Sequence, residues 1–240
     1  MRYLFAAALL LLQSLACAAP VRVAVAANFA VPLRALVSAY RHDHPQADIQ
    51  VTVASTGKLA AQIRQGAPFD LFLAADQRRP EELENEGLAQ AGSRQTYALG
   101  RLALWSRKAN LDLGPELLNS GQLSPLALAN ARTAPYGVAA EAVIATLALP
   151  DSVTLVRGEN VAQTFHFADS GAAQAAFVAY SQVLGQGGSL WLPPARLYEP
   201  IIQQAVRLTD SPDAARFYRY LFSASARESI RRAGYAVDGD

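Results

Sequence analysis

The sequence predicts an α/β protein, with mainly parallel sheet flanked by helices, and three observations predict it. Short apolar runs rich in small and β-branched residues alternate with stretches of helical periodicity. Each run hands over to the next helix through a turn of small and polar residues. Apolar residues make up 52% of the 240 and charged residues 17%, enough for one large core or two lobes of ordinary size, and too apolar for disorder.

In chain order, Val21–Ala26 reads as a strand, and Leu33, Leu36, Val37 and Tyr40 mark the helix after it, with Asn28 suited to cap that helix through its side-chain oxygen. The unit repeats as strand Ile49–Ala54, turn Ser55-Thr56-Gly57 and helix over 59–63, then as strand over 69–75 and a charged helix over 78–86. Further on, Leu126–Ala129 reads as strand, 139–149 as helix and 153–156 as strand, while 175–183 fits either state. Segments 97–105 and 196–208 look extended in part, and Pro193-Pro194 bars any helix from running into the latter. Ala214, Phe217, Tyr220, Leu221, Ile230 and Ala233 place helices in the last thirty residues. Ligands in sheets of this kind bind beyond the carboxyl ends of the strands.

The first nineteen residues differ from the rest. Arg2 precedes an apolar run over 3–12 and the small-residue stretch Ser14-Leu15-Ala16-Cys17-Ala18-Ala19, which is the pattern of a secretory signal peptide. The run is about ten residues, half of the roughly 20 that a spanning helix needs. Ala16-Cys17-Ala18 fits the small-x-small cleavage rule; the competing reading makes Cys17 a lipidated first residue. Either way the folded body has no cysteine, which excludes disulfides, thiolate metal sites and a cysteine nucleophile. Loss of a leader carrying Arg2 and no acidic residue brings the formal charge from +1 to zero, with no basic stripe for a nucleic acid.

Two strand-to-helix turns carry the chemistry. Ala26-Ala27-Asn28-Phe29 and Ala54-Ser55-Thr56-Gly57 each present free backbone N–H groups at the positive end of a helix, with short polar side chains beside them. That is an anion site, although for either turn alone Asn28, Ser55 and Thr56 also read as plain helix caps. Other candidates are weaker. Lys58 could reach an anion but fits a solvated helix face. Asp70 and Asp76 bracket a strand without a nucleophile or metal partner and fit turns and caps. His166, Asp169 and Ser170 invite a secreted-hydrolase reading, but no Gly-x-Ser-x-Gly elbow accompanies them. His42 and His44, one apart in a polar loop, are a weak metal signal.

At these residues the chain resembles the periplasmic molybdate-binding proteins of ABC importers. The resemblance runs through Val23-Ala24-Val25-Ala26-Ala27-Asn28-Phe29, Ser55-Thr56-Gly57-Lys58-Leu59-Ala60-Ala61-Gln62-Ile63 and the block from Gly66-Ala67-Pro68 to Ala74-Ala75-Asp76. It continues through residues 97–106, Ala134-Pro135-Tyr136-Gly137 and Tyr198-Glu199-Pro200. It implies the two-lobed periplasmic-binding-protein fold of type II, with 20–96 and 197–240 as one lobe, 97–196 as the other, and crossings near 97–104 and 188–197. It implies no catalysis and no cofactor. The ligand would be molybdate or tungstate, held by Asn28, the backbone at Ala27, Ser55, Thr56, Tyr136 and the backbone at Asn160-Val161, with molybdenum present only inside its oxyanion. Neutral donors suit such an ion, since no ionisable side chain has to be desolvated. The implied partner is an ABC permease, the implied location the periplasm, and the expected state a monomer. Sulfate or phosphate is the alternative ligand. Two departures stand out: some members carry a hydroxyl where Ala27 stands, and Tyr180 sits one place from the family's tyrosine, a role Tyr136 could fill.

Overall fold

The computed structural model describes residues 19–237; all but the last residue of the expected leader, Cys17 included, lies outside the described residues. Strands β1 (Val21–Ala26), β2 (Ile49–Ala54), β3 (Leu71–Leu73), β4 (Gln95–Gly100) and β10 (Ile201–Arg207) form one sheet in the order β2-β1-β3-β10-β4. Strands β5 (Leu102–Ser106), β6 (Leu126–Ala129), β7 (Leu155–Gly158), β8 (Ala175–Ala179) and β9 (Ser189–Trp191) form a second in the order β7-β6-β8-β5-β9. Two sheets with separate helix layers make a two-lobed α/β molecule.

The middle of the first sheet is covered on both faces, which is why Val23–Ala26 and Leu71–Leu73 read as apolar runs. Val23, Val25, Leu71 and Leu73 point to one side, against Leu33 and Leu36 of α1 (Ala30–Asp43), Phe217 of α8 (Pro212–Leu221) and Ile230 of α9 (Ala224–Arg232). Ala24 and Phe72, one residue out of phase, point to the other, against Leu59 and Ile63 of α2 (Thr56–Arg64) and Leu83 of α3 (Arg78–Asn85). In the second lobe β6 and β8 are buried throughout, under α5 (Pro135–Ala145) and α6 (Val161–Asp169).

Three expectations are corrected. The sheets are mixed: β1 runs parallel to β2 and β3, and β6 to β7 and β8, but β10 and β5 run antiparallel to both neighbours. A chain that leaves the first sheet along β4 and re-enters along β10 must bring the returning strand back in the opposite direction. The chain crosses to the second sheet at Arg101 and returns between Trp191 and Ile201. The first passage comes later than residue 97, because Tyr97 and Ala98 are buried in the first core beside β10. The helix expected over 139–149 begins at Pro135, whose fixed φ and missing N–H suit a first helical turn. The ambiguous 175–183 segment is both states in turn, β8 and then the short α7 (Tyr180–Val183). Among the described residues no helix is long and apolar enough to cross a membrane.

Candidate functional site

A small, nearly closed-up cavity lies between the lobes at the carboxyl ends of β1, β2, β6 and β7. Ala26, Ala27, Asn28, Ser55, Thr56 and Ala75 line it from the first lobe, and Ala134, Pro135, Tyr136, Asn160 and Val161 from the second. The wider groove around Tyr40, Pro45 and Phe217 is lined by the first lobe alone. The interlobe cavity therefore gathers all six sequence-predicted ligand residues, Ala27, Asn28, Ser55, Thr56, Tyr136 and Val161.

Each strand end turns straight into a helix, so four helical N-termini meet here. β1 runs into a 3-10 turn, Ala27–Phe29, and on into α1; β2 runs into α2 through Ser55. Pro135 and Tyr136 open α5, and Val161 opens α6. The first N–H groups of a helix have no carbonyl a turn earlier to bond, and they carry the positive end of its dipole, roughly half a charge. At α6 the side chain of Asn160 takes the N–H groups of Ala162 and Gln163, both at 3.0 Å. Val161 N–H is the group of that turn left over.

The hydroxyl of Ser55 is the plainest sign of a missing partner. Ser55 is 2% exposed and its Oγ has no hydrogen bond among the described residues, an arrangement that costs free energy unless something else satisfies it. It does not cap α2 either. Thr56 Oγ1 accepts from Ala75 N–H at 3.1 Å, leaving its own proton free to donate. No lining residue is Lys, Arg, His, Asp or Glu.

Two expected side-chain roles are corrected. Asn28 caps no helix: its amide Nδ2 donates to Gln203 Oε1 at 2.8 Å and to the Tyr235 hydroxyl at 3.1 Å, beneath the cavity. What it can offer a ligand is its backbone N–H. The Tyr136 hydroxyl also points away from the cavity, toward the ends of β4 and β10, where Gln203 Nε2 donates to it at 3.4 Å. A Cβ on Gly100 would fall on that oxygen, so the glycine makes room for it. Burial pushes the phenols of Tyr97 and Tyr136 well above their usual range. Burial likewise pushes Tyr235 up to about 12, against the pull of its bonds with Ser181 and Asn28. The network under the cavity is therefore neutral.

The lobes touch at the cavity's rim. Gly57 N–H donates to Thr133 O at 2.8 Å, and a Cβ on Gly57 would stand 3.0 Å from Thr133 Cα. Lys58, expected on a solvated face, pairs with Glu159 of the other lobe, both side chains about half exposed. The weaker candidates fall elsewhere. Asp70 accepts from Arg22 N–H and the Thr209 hydroxyl, both at 2.8 Å, and Asp76 pairs with Arg79. His166 and Ser170 are exposed near the end of α6, and Ser170 Oγ donates to Phe167 O at 3.3 Å. His44 stacks on Tyr40 with ring centroids 4.1 Å apart. Sequence reasoning missed Gln203, Tyr235, Tyr97 and Ser181, which no local pattern connects to the two turns.

The family model described as bacterial extracellular solute-binding protein matches residues 21–236. The molybdate-binding protein ModA of Azotobacter vinelandii is 44% identical over 237 residues, covering 95% of this chain and 94% of its own. That of Rhodobacter capsulatus is 40% identical, covering 93% and 90%. The solved periplasmic molybdate-binding protein of Azotobacter vinelandii superposes with a TM-score of 0.85 at 35% identity, covering 90% of this chain and 99% of that one. The sulfate-binding protein SubI of Mycobacterium tuberculosis, at 11% identity and a TM-score of 0.74, shares the fold, over 92% of this chain and 87% of its own.

Proposed function

The chain belongs to the bacterial extracellular solute-binding proteins, and on that premise we propose that it captures molybdate in the interlobe cavity and delivers it to an ABC permease. The observation that carries the reading is the meeting of four helix N-termini and one unpartnered buried hydroxyl in a cavity whose described lining has no Lys, Arg, His, Asp or Glu. The ModA relatives, similar over nearly the whole chain, support the choice of oxyanion.

In this reading the ligand shell consists of the N–H groups of Ala27, Asn28, Thr56, Tyr136 and Val161 and the hydroxyls of Ser55 and Thr56. A tetrahedral dianion accepts from fixed dipoles on every side, and each charge-assisted bond is about twice as strong as a neutral one. Molybdenum meets the protein only through its oxygens. Tungstate, with the same shape and charge, uses the same donors. The first lobe, residues up to 100 with those from 201 on, and the second, 102–191, close over the ion about a hinge at Arg101 and the 192–200 return. The closed form is what the permease reads. The protein acts in the periplasm as a monomer, without catalysis and without a nucleic-acid partner.

Selectivity against phosphate follows from the same chemistry. Every phosphate ion near neutral pH carries at least one proton, and a shell of donors with no carboxylate leaves that O–H without an acceptor. A thermal-shift panel of molybdate, tungstate, sulfate, phosphate and chromate tests the reading. Molybdate and tungstate at 100 times their dissociation constants should add about 2.7 kcal/mol of stability, and phosphate far less. Equal stabilisation by phosphate would show an acceptor in the shell; no response to any oxyanion would remove the function.

A further inference from the structure

The segment after α9 reaches the floor of the cavity from the far end of the chain. Ala236 pairs with Leu99 of β4 in both directions, at 2.7 and 3.2 Å, beside the first crossing. Tyr235, 5% exposed, sets its ring edge-on to Phe29, with centroids 5.4 Å apart. Its hydroxyl uses its whole hydrogen-bonding capacity. It donates to the Asn28 carbonyl at 2.8 Å and accepts from Asn28 Nδ2 at 3.1 Å and Ser181 Oγ at 2.8 Å. Asn28 and Tyr235 belong to the first lobe, whereas Ser181 stands on α7 in the second. The bond from Ser181 therefore joins the two lobes, close to the crossing at Arg101, and Ser181 Oγ also lies 3.5 Å from the Asn28 carbonyl.

We propose that Tyr235 is a positioning residue for anion capture: it clamps the Ala27–Asn28 turn that faces the ligand and, through Ser181, ties that turn to the closed cleft. Both atoms of Asn28 that it holds lie on the residue whose N–H faces the cavity, so a loosened clamp lets that donor swing off line. On this proposal, opening the cleft removes the Ser181 bond and leaves the Tyr235 hydroxyl one donor short. This inference rests on the oxyanion reading of the cavity.

The test is a double-mutant cycle of Y235F and S181A, read by molybdate titration calorimetry, stopped-flow dissociation and ligand-free urea denaturation. Y235F keeps the ring against Phe29 and should raise the dissociation constant about tenfold, mostly through the dissociation rate; S181A should raise it about threefold. The double variant should lose clearly less than the product of the two single effects, because both changes break the same bond, while in Y235F Ser181 Oγ keeps only the Asn28 carbonyl, at 3.5 Å, as acceptor. Without ligand the two effects on the urea midpoint should simply add. Multiplying effects on binding, with wild-type binding intact, would overturn the clamp alone, as would equal coupling in the ligand-free protein. Loss of wild-type binding would overturn the oxyanion reading with it. Should Y235F fail to fold, S181A decides by itself: faster dissociation with unchanged association supports the clamp, and unchanged dissociation overturns it.

Discussion

Ser55 and Asn28 sit side by side at the cavity and have opposite stakes in it. The Ser55 hydroxyl has no partner among the described residues, so Ser55→Ala removes a bond that the ligand makes. We expect affinity to fall tenfold or more, since a bond to a charged group is worth about 1.5–3 kcal/mol, while ligand-free stability holds or rises. Asn28→Ala instead strips Gln203 and Tyr235 of a buried partner and should cost about 1–3 kcal/mol of ligand-free stability, with affinity falling as the turn loosens. Calorimetry beside urea denaturation separates the two, and an Asn28→Ala protein of full ligand-free stability would refute this account of its side chain. The sequence made Asn28 legible as a polar residue at the right turn. It could not say which of its atoms meets the ligand, because Gln203 and Tyr235 stand 175 and 207 residues away.

At the scale of elements, the N-terminus of α2 serves both the site and the closure. Gly57 lies against Thr133 in the opposite lobe, whose atoms are the three nearest to an added Cβ, so that Cβ obstructs the closed cleft. Alanine is the better helix former by about 1 kcal/mol. Gly57→Ala should therefore raise ligand-free stability and lower affinity together, with faster ligand release, a pair of signs that a misfolded variant would not show. Lys58 and Glu159 make their bridge between half-exposed side chains, where ion pairs contribute about 0–1 kcal/mol. Lys58→Ala should weaken binding no more than a few-fold, and less at high salt. Both effects read directly from dissociation rates across a salt series. The strand and helix alternation behind α2 was plain in the sequence; its contact with Thr133 was not, since the two meet only through the relation of two separate lobes.

For the whole molecule, the absence of Lys, Arg, His, Asp and Glu from the described residues lining the cavity sets the response to pH. Affinity for a fully ionised oxyanion should be flat between about pH 6 and 9, where none of the lining residue types titrates; a bell-shaped or stepped profile would place a charged group in the shell. Stability behaves differently at the alkaline end. Tyr235 holds its proton to about pH 12 in the folded protein, and the buried Tyr97 and Tyr136 are raised in the same direction. The unfolded chain releases those protons near pH 10. Their contribution is therefore complete below about pH 10 and is lost as pH climbs through the raised values, which urea midpoints measured between pH 9 and 12 will show as a steady decline.

Val21–Ala26, Ile49–Ala54 and the two turns that follow them are determined by the sequence alone, because apolar period, chain punctuation and helix starts are local properties. The same holds for the neutral character of the site, since residue type alone excludes charge at Ala27, Asn28, Ser55 and Thr56. What only the tertiary structure decided is which atoms are left over for a ligand. Val161 N–H stays open because Asn160 takes the next two donors, Ser55 Oγ because nothing in either lobe reaches it, and the Tyr136 hydroxyl is withdrawn because β10 brings Gln203 beneath it. A hydrogen-bonding group is free or occupied according to partners that arrive from anywhere in the chain. That inventory closes only when the two lobes and the C-terminal segment have met.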